Sequence, residues 1–201
     1  MTQAPDENAA MTLLAKLEEV APDDPQELRH RALYYATVLG VRCVKLVTEY
    51  VDYCLSPSET GEKPEFKRSD LSQEVHHEAV KELLGLSIWL TMVDQLGGNV
   101  PKWLREFFLE CWALADKLYP KPSSREIMQT YNTNLRVKDV CQSISSRLCY
   151  KLGLGNTKGD ACLILGELLW EAGPVRADLL LFSLSQPLEV LDEDVNSLRT
   201  K

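Results

Sequence analysis

Apolar residues recur along this chain at intervals of three and four, and no segment keeps up the period-two alternation of a half-buried strand, which predicts an all-α protein. A weak first helix is expected from about Asn8 to Val20, through Met11, Leu14, Leu17 and Val20, ending before Pro22. Residues 1–23 therefore read as an N-terminal arm or a loosely docked helix. The first strong helix opens with Asp24 as cap, Pro25 in the first turn and Glu27 completing a capping box, and runs to about Cys54. Its stripe is Leu28, Ala32, Tyr35, Leu39, Cys43, Leu46 and Tyr50. Residues 56–69 hold two prolines, Gly61 and many charges, the pattern of an exposed loop. A second helix is expected from Ser69 or Asp70 to Gly97 and Gly98, with Leu71, Val75, Ala79, Leu83, Leu86, Leu90 and Val93 on one face. Its later half is apolar all round, which predicts a central position. Asn99 and Pro101 open a third helix that buries Leu104, Phe107, Phe108, Cys111, Trp112, Ala115 and Leu118.

Past Pro120 and Pro122, Ser123 or Ser124 can cap a further stretch whose narrow stripe is Val137, Val140, Cys141, Ile144 and Leu148. The most sharply delimited helix lies between Thr157, spaced with Asp160 as a capping box, and Gly173 with Pro174 behind it. It is apolar on nearly every side yet carries Glu167 and Glu171, and buried carboxylates need a partner. Pro174 then starts an apolar helix through Leu179 to Leu184, and Pro187 separates it from a last amphipathic segment with Leu188, Leu191, Val195 and Leu198. No internal repeat supports a solenoid. The expected architecture is an irregular bundle of about six or seven helices in a single domain covering residues 24–201.

A length of 201 residues with 45% hydrophobic content supports a sizeable core. The net charge of -8 argues against indiscriminate attraction to nucleic acid or anionic membrane. That charge is uneven, since residues 117–158 carry a net +6 and leave -14 for the remainder, although widening the window to Asp116 and Asp160 lowers the excess to +4. Arg136, Lys138, Arg147, Lys151 and Lys158 are the candidate anion-binding residues of this basic section. They could meet nucleic acid, another anion, or acidic parts of the same chain or of a subunit partner. Nucleic acid is not favoured, because only Tyr131 and Tyr150 are interleaved for base stacking and no helix-turn-helix pattern is present. Six cysteines without a Cys-x-x-Cys pair read as reduced, buried thiols of a cytoplasmic protein. The first twenty residues lack signal-peptide order, and the dense apolar stretch Leu83 to Val93 is about half of what a membrane span needs, so a soluble protein is expected.

Two Glu-x-x-His pairs, Glu27 with His30 and Glu74 with His77, have the spacing of di-iron ligands. Angular placement sets Glu27, His30 and His77 off the apolar stripes, whereas ligands of a bundle-core metal must point inward. No metal, other cofactor or catalytic residue is assigned, because three histidines offer no triad spacing. The loop from Gly153 to Gly159 could hold an anion through its amides and Lys158, but it fits a helix C-cap followed by an N-cap and departs from P-loop spacing. Trp103, Phe107, Phe108 and Trp112 make the third helix aromatic-rich, and its apolar arc covers roughly half the circumference, wide enough to serve the core and another subunit. Trp103, Phe107 and Trp112 are the candidate partner-binding residues. Glu167 and Glu171, one turn apart, form an exposed edge, a structural pairing with a base such as Arg147 or Arg176, or a buried site whose acids raise each other's pKa.

These patterns point to a non-enzymatic helical protein-protein interaction module that self-associates. One alternative is a regulator binding nucleic acid or another anion through residues 117–158, with affinity falling steeply with salt. Another is an enzyme or small-ligand carrier that holds Glu167 and Glu171 in a buried pocket.

Overall fold

The computed structural model describes residues 7–55, 72–120, 123, 125–126, 173–191 and 193. Among the described residues the fold is all-α, with no strand. Helix α1 spans Glu7–Glu19, α2 Pro25–Leu55, α3 Gln73–Leu90, α4 Lys102–Leu118 and α5 Gly173–Ser185, and α3 continues into a π-helical turn over Thr91–Gln95. The expected loop at 56–69, the 137–148 stripe, residues 157–172 of the expected helix from Thr157 and the positions Val195 and Leu198 lie outside the described residues; Gly173, expected to end that helix, is the first residue of α5.

Leu17 is fully buried in the main core, so α1 is docked more firmly than its weak pattern suggests. Asp24 caps α2 as expected, its Oδ1 accepting from the amides of Gln26 at 2.7 Å and Glu27 at 2.9 Å. Leu28, Ala32, Tyr35, Leu39 and Cys43 are buried along α2; Val47 takes the place expected for Leu46, which is only partly covered. The cap of α3 is Ser72, later than Ser69 or Asp70: its backbone is extended and its Oγ accepts from Val75 N at 3.2 Å.

From Ala79 to Thr91 every residue of this helix is buried, the central position that the all-round apolar pattern predicts. The π turn widens the end of the helix, Leu96 N donating to Thr91 O at 3.1 Å. Gly97 and Gly98 then end it with positive φ angles of 57° and 79°, conformations in which a Cβ would be strained. Helix α4 packs on α2 and α3, while α5 packs on α2 and the π turn. Tyr35 meets Phe107 with ring centroids 5.6 Å apart and Phe108 at 6.4 Å, tying α2 to α4 by aromatic contacts as well as buried area. Leu118 departs from the expected buried face of α4: it is 61% exposed, at a groove that it lines together with Ala36 and Gly40 of α2. Beyond α4, Ser123 forms the expected cap in full, its amide and hydroxyl donating to Glu126 Oε2 while its Oγ accepts from Glu126 N.

Candidate functional site

The three aromatic candidates on α4 part company. Phe107 and Trp112 are buried in the chain's own core, with Phe107 enclosed by Tyr35 and Phe108. The apolar arc of α4 is mostly used against α2 and α3, which leaves Trp103 as the more open of the three. Trp103 is only partly buried, and its indole Nε1 donates to Glu18 Oε1 of α1 at 3.3 Å.

Trp103 lines a cleft of about 410 Å³ between the start of α2 and α4. Buried Leu28 gives the cleft an apolar floor, while Asp23, Asp24, Glu106 and Glu110 supply carboxylates at its edge. Among the described residues Arg29 is the one base lining it and pairs with Glu110 at 3.2 Å, while Lys102, just outside the lining, pairs with Glu106 at 3.6 Å. The balance of negative charge around an aromatic ring suits a cationic side chain, which an indole face and a carboxylate both attract.

A second, more apolar groove of about 210 Å³ is lined by Ala36, Thr37, Gly40, Val41 and Val44 of α2, Leu84 of α3, and Ala115, Leu118 and Tyr119 of α4. Val41, at its edge, is 46% exposed. Gly40 lies in the middle of the 31-residue α2, where glycine is less favourable than alanine by roughly 0.5–1 kcal/mol. A third depression of about 350 Å³ lies between α1 and the end of the π turn, beside Met11 and Leu96.

Two buried bases were not evident from periodicity. Lys81 has no exposed surface; its ammonium donates to Asp116 Oδ1 and, at 2.6 Å, to the carbonyl of Tyr119 just past the end of α4. Arg31 donates to the carbonyls of Ser183 at 3.1 Å and Gln186 at 2.9 Å, at the end of α5, and from Nε to Glu27 at 2.7 Å. Both place a cation where helix carbonyls lack intrahelical partners and the helix dipole is negative. These contacts hold helix ends. Glu27, a member of one Glu-x-x-His pair, is thus engaged by Arg31, and His77 of the other packs on the Tyr119 ring at 5.2 Å. Among the described residues no three metal-ligating side chains cluster.

Cys43 and Cys111 are buried, reduced thiols. Burial pushes the Cys111 thiol well above its ordinary range, against the opposing effect of its backbone hydrogen bond, and partial burial with nearby Cys43 raises the Tyr119 phenol. Neither group is poised as a nucleophile at neutral pH.

Arg136, Lys138, Arg147, Lys151, Lys158, Glu167 and Glu171 lie outside the described residues. Among those residues no helix is long and apolar enough to cross a membrane. No family model matches the chain, and no curated protein or solved structure matches it either.

Proposed function

We propose that the protein is a non-enzymatic helical interaction module that self-associates, with the cleft at Trp103 receiving a basic segment of a second copy. The observation that carries this reading is the cleft itself: a partly exposed tryptophan on an apolar floor, edged by Asp23, Asp24, Glu106 and Glu110. The sequence contains the complementary charge, because residues 117–158 are net positive while the remainder is strongly negative. Charge complementarity of this kind selects partners and speeds their encounter, and a tryptophan within such a site is a favoured anchor. The buried, reduced thiols Cys43 and Cys111 support a cytoplasmic setting for this role.

Light scattering on the full chain tests the reading. The expected mass exceeds 22.7 kDa at low salt and falls as ionic strength rises. Replacing Trp103 with Glu should lower the mass while helicity measured by circular dichroism is kept. Because Trp103 also touches the core, the exposed pair Asp23→Lys with Glu106→Lys provides the same readout without disturbing packing. An unchanged mass in both variants removes the cleft from the interface.

A further inference from the structure

We infer that Arg29 is a built-in competitor for the Trp103 cleft, its guanidinium holding the carboxylate of Glu110 that a base of the second copy must take over. This inference rests on the self-association reading and adds the regulation of the same cleft. Its starting point is how the chain's own groups already engage the acids there. Asp24 accepts from the amides of Gln26 and Glu27, so its carboxylate serves the cap of α2. Glu106 pairs with Lys102 along α4, one turn apart on a single helix. Glu110 differs, because Arg29 reaches it from the opposite wall: Nε on α2 donates to Oε1 on α4 at 3.2 Å, across the cleft that both residues line. Two cations at one carboxylate repel each other, so a basic side chain arriving at Glu110 competes with Arg29 for it.

The Arg29 contact is also placed to be released. Its side chain is 69% exposed and that of Glu110 35%, and an ion pair this open to water is held weakly. The two walls of the cleft do not depend on it. Tyr35 of α2 packs on Phe107 and Phe108 of α4, and Cys111 Sγ donates to the carbonyl of Ala32 at 3.6 Å, so α2 and α4 stay joined when the guanidinium leaves. Arg29 thereby sets a threshold for entry. A lone base gains little by exchanging one cation for another at Glu110, whereas a basic segment that also covers Trp103 and reaches Asp23 gains more than the exchange alone.

Sedimentation of the full chain across a concentration series tests the competition. Arg29→Gln should lower the dissociation constant of self-association about two- to five-fold, the equivalent of one exposed ion pair that no longer has to be broken, and should leave the urea midpoint nearly unchanged. Lys45→Gln makes the same change of charge further along α2, at an exposed lysine paired with Glu49 of its own helix, and its effect should be smaller. Glu110→Gln removes the contested carboxylate, and Arg29→Gln added to it should bring no further tightening. Wild-type or weaker association in Arg29→Gln overturns the inference. So does an equal gain in Lys45→Gln, which would make the effect one of overall charge, or a full gain from Arg29→Gln in the Glu110→Gln background. A clear fall in the urea midpoint of Arg29→Gln overturns it too, because the pair would then hold the fold. If the wild type and Arg29→Gln are both monomers at every concentration, the self-association reading falls with it. If the wild type associates and responds to Asp23→Lys with Glu106→Lys but not to Arg29→Gln, only the role of Arg29 is overturned.

Discussion

Lys81 places its charge in the most enclosed part of α3, and its two acceptors differ in their access to water. Asp116 is 41% exposed while the lysine side chain is wholly covered, so deleting either member of the pair leaves a different remnant. Lys81→Met leaves a carboxylate that water can reach, and methionine replaces much of the apolar stem. Asp116→Asn leaves an ammonium in the interior without its counter-charge, an outcome that typically costs about 3–5 kcal/mol. Urea unfolding should therefore rank Asp116→Asn as clearly more destabilising than Lys81→Met, and equal losses would mean that the charge is better solvated than its burial implies. This residue also marks a limit of reading faces from sequence. A lysine inside an apolar run looks like an interruption of the core. It becomes a core residue only because the end of α4, 38 positions away, supplies a carbonyl that periodicity cannot reveal.

At the level of elements, Arg31 does for α5 what Lys81 does for α4. Its guanidinium spans two carbonyls at the end of α5 and Glu27 on its own helix, a division of donors that a lysine cannot reproduce. Arg31→Leu is expected to cost about 3 kcal/mol, the loss of charged hydrogen bonds plus the stranding of two acceptors. Hydrogen exchange in α5 should quicken more than in α4, and Arg31→Lys should restore only part of the protection. Uniform quickening across the helices would show that the contact is not local to α5. The helix boundaries themselves were largely legible, because Asp24, Pro25, Gly97, Gly98, Pro101 and Ser123 have strong local preferences. The π turn and the exposure of Leu118 were not. Both depend on what packs opposite: the widened turn lies against α5 and α1, and Leu118 stands beside Ala36 and Gly40, the small positions of α2. The candidate site was legible only as a set of aromatic positions. Trp103 had the right chemistry and a partly open position, but the same aromatic signal named Phe107 and Trp112, whose burial is decided by α2 and α3.

For the whole molecule, the buried Cys111 links stability to alkaline pH. The folded state keeps this thiol protonated because burial penalises the thiolate, whereas the unfolded chain releases the proton near its ordinary value of 9.0. Its contribution is therefore intact below that pH and is lost as pH rises toward the higher folded value, at up to about 1.4 kcal/mol per pH unit for one proton. Tyr119, also raised, acts in the same direction above pH 10.0. Cys111→Ala should flatten the fall in urea midpoint between about pH 9 and 10, the span just above the ordinary thiol value. The wild-type slope in that variant would assign the alkaline loss to other groups.

The bonds from Arg31 to the end of α5 reach across 152 and 155 positions of sequence. During synthesis the arginine leaves the ribosome long before its acceptors exist, and at about 5–20 residues per second the wait lasts on the order of ten seconds. Over that interval Arg31 can pair with Glu27 of its own helix, so the link from α2 to α5 closes only after α2, α3 and α4 have been made.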